Sequence, residues 1–72
     1  MTDTNKLKGR LLEKGLTQSD VAAKLGISYQ SFNYKLNNIR EFKASEIKRL
    51  CVILDISNKD DYFFYNQISQ NG

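Results

Sequence analysis

Leu7 and Leu11 stand four residues apart in a run otherwise built from Asp, Thr, Asn, Lys, Gly, Arg and Glu, with Leu12 beside them. That spacing returns side chains to one helical face and predicts a first helix over about residues 3–14. Asp3 or Thr4 supplies a capping oxygen, and Gly15 ends the helix. Gly9 lies inside it at about 1 kcal/mol against alanine, which points to close packing there. A second helix starts at Thr17, whose hydroxyl caps the first turn while Asp20 sits at its positive end. Val21, Ala22 and Leu25 form its apolar stripe, and Gly26 stops it.

Only Gly26, Ile27 and Ser28 separate this from a third helix, about residues 29–37, with Ser28 as its N-cap. Phe32 and Leu36 face the core. Gln30, Tyr34 and Asn37 project to the opposite, wet face, with Asn33 at its edge. A polar loop interrupted by Ile39 and Phe42 leads to a fourth helix, about residues 44–55. Ile47, Leu50, Cys51 and Leu54 form its i, i+3, i+4, i+7 stripe, and Val52 and Ile53 lie off it. Ser57 caps a short fifth helix, about residues 58–64, and residues 66–72 read as a polar, frayed tail. The pattern is all-α: five short helices in one domain spanning residues 1–72.

Composition narrows the class. The 72 residues are 40% hydrophobic and 26% charged, the balance of an ordinary globular chain. One small core is all that such a length can bury. No apolar run approaches the ~18 residues of a membrane span, and the start MTDTNKLKGR lacks the apolar stretch of a secretory signal. A cytoplasmic location and no membrane partner are therefore expected. Zero histidine and the single Cys51 leave neither a disulfide framework nor a zinc set, and Cys51 reads as a small buried hydrophobe. Asp60 and Asp61 read as a solvated first-turn pair, not a metal site. Without histidine, a general base near neutral pH needs a strongly shifted carboxylate, lysine or cysteine, and so small a core rarely encloses the pocket to impose it. The chain is not expected to be an enzyme, nor to need a cofactor, metal or small-molecule substrate.

Charge adds a direction. The net charge is +3. Residues 1–49 carry ten Lys/Arg against five Asp/Glu, net +5, and residues 50–72 carry Lys59 against Asp55, Asp60 and Asp61, net −2. A basic body with an acidic end suits a polyanion bound away from the C-terminus. The second and third helices match what a helix-turn-helix demands. Gly26 allows the sharp turn, Ala22 the close crossing, and Ile27 plugs the turn. Phe32 and Leu36 anchor the second member with few apolar residues. Its outer face then carries hydrogen-bonding groups on Gln30, Asn33, Tyr34 and Asn37.

The stretch LTQSDVAAKLGISYQSFNYKLNN, residues 16–38, resembles the Cro/C1-type (lambda-repressor-like) helix-turn-helix family of bacterial and phage repressors. Gln18, Ala22, Leu25, Gly26, Ile27 and Ser28 match its motif in register, with the unit at about residues 17–37. The pattern YKLNNIREFKASEI, residues 34–47, is similar to small Cro-like regulators of temperate phages of Gram-positive hosts. Within those it looks like the modulator-of-repression type, which opposes a CI-type repressor in a lysis–lysogeny switch. The resemblance implies a five-helix DNA-binding domain. It places base contacts at Tyr29, Gln30, Asn33 and Tyr34. It places phosphate contacts at Gln18, Ser28, Lys35, Asn37, Asn38, Arg40 and Lys43. Gln30 has the groups to pair bidentately with adenine, and Tyr29 to pack on a thymine methyl. The family's buried Arg–Glu pair falls on Leu11 and Leu36 here, which are expected to meet in the core. The third helix holds no arginine, and Lys43 stands where a capping Ser or Thr is usual.

Three functions stay open on these residues. The first is Cro-like repression of double-stranded operator DNA in a bacterial host, with the chain nucleoid-associated when DNA-bound. The second is an antirepressor that binds the opposing CI-type repressor and blocks its DNA contacts. The third is a helical interaction module with no nucleic-acid role. A lone protomer covers one half-site, so tight binding calls for a second protein. Val52, Ile53, Tyr62 and Tyr65 are the expected surface for a homodimer. The face bearing Tyr29 and Tyr34 is the expected surface for the repressor, with Glu13, Asp20 or Glu41 complementing its basic side.

Overall fold

The computed structural model describes residues 1–64 and contains four α-helices: α1 (Thr4–Glu13), α2 (Gln18–Leu25), α3 (Tyr29–Leu36) and α4 (Ala44–Ile53). No strand element occurs among the described residues, and no helix there is long and apolar enough to cross a membrane. Each helix begins where local chemistry dictates. The Asp3 carboxylate accepts from the Lys6 N–H at 3.1 Å and caps α1. Its far end closes on Gly15 at φ +70°, with the Leu16 N–H returning to the Leu11 carbonyl.

The core gathers Leu7 and Leu11 from α1, Val21 and Ala22 from α2, Phe32 and Leu36 from α3, and Ile47 and Leu50 from α4. Leu54, Ile56, Phe42 and Phe63 complete it from the connecting segments. Leu11 and Leu36 are both buried in this one cluster. The Phe42 ring packs 5.8 Å from Phe32 and 5.7 Å from Phe63, the second contact edge to face. Phe42 is thus the loop residue that joins α3 to the C-terminal segment.

Several expectations are corrected. Between residues 58 and 64 there is only a 3-10 turn, Lys59–Asp61, where a fifth α-helix is expected. The backbone beyond it is claimed by the N-terminus: the Asp3 N–H donates to the Tyr62 carbonyl at 2.8 Å and the Phe64 N–H to the Met1 carbonyl at 2.6 Å. Thr2 and Phe63 form an antiparallel bridge, which draws Phe63 into the core. The fourth helix stops at Ile53, because Asp55 takes a left-handed conformation and the Ile56 N–H closes onto the Cys51 carbonyl. Leu12 points into solvent, 80% exposed. A Cβ at Gly9 would meet nothing within 4 Å, so close packing does not explain that glycine. Tyr65 and the tail at 66–72 lie outside the described residues.

Candidate nucleic-acid interface

Local rules build the α2–turn–α3 unit almost unaided. At its start, the Thr17 hydroxyl accepts from the Asp20 N–H at 3.0 Å and the Asp20 carboxylate accepts from the Thr17 N–H at 2.9 Å. This reciprocal box satisfies two N–H groups that a helix start leaves open. The bond from the Thr17 N–H is the largest cause holding the Asp20 carboxyl below its ordinary range. Gly26 then turns the chain at φ +78°, where a side chain would be strained. The Ile27 N–H returns to the Ala22 carbonyl at 3.1 Å. At the next residue the Ser28 hydroxyl accepts from the Ser31 N–H at 3.0 Å and starts α3. α2 packs on both α3 and α4, so α3 is held from behind.

The outward side of α3 carries two sets of bonded polar groups. Tyr29 is 52% exposed, and Gln30 is exposed beside it. The Gln30 amide donates to the Tyr34 hydroxyl at 3.0 Å. The Asn33 amide donates to the Gln18 side-chain oxygen at 3.3 Å, which ties the first turn of α2 to the middle of α3. The Asn37 amide donates to the Asn33 carbonyl at 2.9 Å. Arg40 folds back from the following loop and lays its guanidinium over the Tyr34 ring, 5.7 Å from the centroid. α3 itself has no arginine, yet one stands at its C-terminal edge. Gln18, Asn33 and Asn37 are thus joined by one set of hydrogen bonds, and Gln30, Tyr34 and Arg40 by a second set of contacts on the same helix. Lys43 is exposed at the start of α4, and Ser28 is exposed at the start of α3.

One expected phosphate contact, Lys35, is withdrawn, and a second, Asn38, already bonds within the fold. Lys35 is buried: its ammonium lies 2.8 Å from both carboxylate oxygens of Glu46, and the two side chains are 9% and 11% exposed. An ammonium sequestered in that pair does not reach a phosphate. Asn38 sits at φ +64° and accepts from the Thr2 N–H at 2.7 Å while donating to the Thr2 carbonyl at 2.9 Å. Its amide anchors the N-terminal segment and leaves little for a ligand. The expected homodimer patch also divides. Val52 and Ile53 line a groove on α4, whereas Tyr62 lines a polar depression with Arg10 and Asp55 and takes Lys6 over its ring at 5.1 Å.

Three structural residues have no counterpart in the sequence reading. Glu46 also accepts from the Lys43 N–H at 2.8 Å, so it caps α4 where the lysine side chain has no acceptor to offer. Burial pushes its carboxyl upward, but the bonds from Lys35 and from the Lys43 N–H outweigh that and hold it below its ordinary value. Arg10 donates to the Leu54 and Asp55 carbonyls, both at 2.8 Å, and closes the end of α4. Arg49 donates to the Lys24 carbonyl at 2.8 Å and does the same for α2. The glutamate three residues after Lys43 is a capping-box signal legible in sequence. The two arginine caps span 44 or 45 and 25 residues of chain and leave no local trace.

Comparison with known proteins places the chain by family. Residues 1–66 match the model of the family described as "Protein of unknown function (DUF739)", and the chain belongs to that family. No curated protein and no solved structure matches it.

Proposed function

We propose that this DUF739 chain is a transcriptional regulator of the Cro/C1 helix-turn-helix type, acting in the cytoplasm of a bacterial host on the switch of a temperate phage. The single observation behind this reading is the α2–Gly26–α3 unit, capped at both helix starts and displaying Tyr29, Gln30, Asn33 and Tyr34 outward. In the proposed complex α3 enters the major groove of operator DNA. Gln30 and Asn33 offer amide donors and acceptors to base edges, and Tyr29 offers an aromatic face to a thymine methyl. Gln18, Ser28, Asn37, Arg40 and Lys43 meet phosphates around it. Fluorescence anisotropy against promoter fragments flanking its own gene tests this. At fixed salt, one fragment should bind at least about 10³ times more tightly than random duplex. Equal affinity for all fragments would remove the DNA-reading role.

One observation favours a second reading. With Lys35 neutralised by Glu46, no charged side chain of α3 remains exposed. An uncharged, tyrosine-bearing face suits protein recognition as well as base reading. In this reading the chain is an antirepressor whose α3 face occupies the DNA-contacting surface of the opposing CI-type repressor. Glu13, Asp20 and Glu41, all exposed, complement that basic surface. Competition decides between binding modes: operator DNA should displace the chain from the repressor. A ternary complex with the repressor still seated on its operator excludes blocking.

A further inference from the structure

The outer side of α4 takes no part in the surface around α3, and it carries a groove of its own. Ser45, Lys48, Arg49, Val52 and Ile53 line about 510 Å³ of space. Ser45, Lys48, Arg49 and Val52 stand at i, i+3, i+4 and i+7, so they form one stripe along the helix. Val52 is 81% exposed, a branched apolar side chain held in water. Two cations flank it, and no carboxylate lines the groove. Lys48 is exposed and has no ion-pair partner among the described residues. Arg49 uses one N–H on the Lys24 carbonyl, which fixes its guanidinium at the groove's edge, and it has no ion-pair partner among the described residues.

We propose that this groove docks an amphipathic helix of a partner protein, aliphatic along its centre and acidic along its flanks. The exposed Val52 and half-buried Ile53 are the apolar contacts for anchors spaced i, i+4, i+7, the pattern by which a helix seats in a groove. Carboxylates beside those anchors meet Lys48 and Arg49, the arginine with the geometry for two parallel bonds. A second copy packed groove to groove brings the same two cations and no carboxylate among its own lining residues, so like charges oppose. Residues 65–72 contain no Asp or Glu, so that segment of the chain lacks the complement as well. Nucleic-acid phosphate satisfies the cations but leaves the apolar contacts in water. An acidic, aliphatic helix answers both halves of the groove.

The test is a two-dimensional amide NMR titration of the full chain with two synthetic helical peptides. One carries leucines at i, i+4 and i+7 flanked by glutamates; its twin has lysines in place of the glutamates. The acidic peptide should shift amides within residues 45–53, and the basic twin should not. Lys48→Glu should weaken the acidic peptide about fivefold, the effect of about 1 kcal/mol. Val52→Asp should abolish binding while leaving the amide spectrum of α1 to α3 in place, since both positions are exposed. No shift within 45–53, equal shifts from both peptides, or shifts concentrated in α3 would overturn the proposal. So would concentration-dependent shifts of α4 without peptide, which assign the face to a second copy. Random duplex DNA moving the same amides would assign it to phosphate, and that too overturns it.

Discussion

Lys35 and Glu46 form a buried ion pair that joins α3 to the first turn of α4, with the ammonium 2.8 Å from both carboxylate oxygens. Glu46 also takes the Lys43 N–H, so one carboxylate fixes a helix start and the rear of α3 at once. Removing one partner of such a pair leaves a desolvated charge, whereas replacing both by apolar side chains does not. Lys35→Met should therefore destabilise the fold by about 3 kcal/mol. Lys35→Met combined with Glu46→Leu should recover most of that loss, short of the lost bond from Lys43. Urea denaturation of the two variants checks this, and equal losses in both would show that the pair is not acting as one unit.

The same carboxylate sets an acid limit on stability. Its pKa in the fold is held below its ordinary, unfolded value. A depressed carboxylate contributes stability above the unfolded pKa and loses it as pH falls through the folded one. Stability should hold near neutrality and decline from about pH 5 downward, and Glu46→Gln should make that decline shallower. Asp20, held down mainly by the Thr17 N–H, adds a contribution of the same sign. The check is chemical denaturation at a series of pH values. A wild-type profile flat to pH 3 would contradict the sign.

Gly9 offers a gain. It lies within α1 at an ordinary helical φ, and an added Cβ meets no atom within 4 Å. Gly9→Ala should stabilise by about 0.4–1 kcal/mol, mainly by narrowing the unfolded ensemble. For a domain this small that is a rise in Tm of several degrees. A fall in Tm would mean that something approaches Gly9 which the fold does not show.

What was legible in the sequence divides by distance along the chain. Thr17, Gly26 and Ser28 act on partners within a few residues, so caps and turn could be read directly, and the α2–turn–α3 unit came with them. The stripes of Leu7, Leu11, Phe32, Leu36, Ile47 and Leu50 are periodic and equally plain. Phe42 and Phe63 belong to no stripe, and only their aromatic contacts across the fold explain them. The 3-10 turn replaced a helix because Thr2 and Phe63 pair across the whole domain. Lys35 departs from its sequence expectation for a different reason. It stands three residues after Phe32 and one before Leu36, on the inner half of α3, but a lysine there reads as solvated until its buried partner is known.

The cationic phosphate contacts proposed for DNA binding are Arg40 and Lys43. Each neutralised phosphate contributes about −0.9 to the log–log salt slope of affinity. Arg40→Ala and Lys43→Ala should each flatten the slope by about one unit. Arg40→Ala should also release the Tyr34 ring that its guanidinium covers. Lys35→Met, if still folded at the working temperature, should leave the slope unchanged, because its ammonium is bound by Glu46. A flattened slope in that variant would return Lys35 to the DNA.

Gln30 differs from these cations in kind. Its amide is exposed on α3 and already oriented by the Tyr34 hydroxyl at 3.0 Å, so it reaches a base edge with little side-chain freedom left to lose. Gln30→Ala should lower discrimination between the preferred and a mismatched site by about 1–3 kcal/mol while leaving affinity for random duplex unchanged. Tyr34→Phe keeps the ring under Arg40 but removes the hydroxyl that orients Gln30, and should give a smaller loss in the same direction. Competition binding with single-base operator variants reads both effects. Uniform weakening on every sequence would show that Gln30 touches the backbone and not the bases.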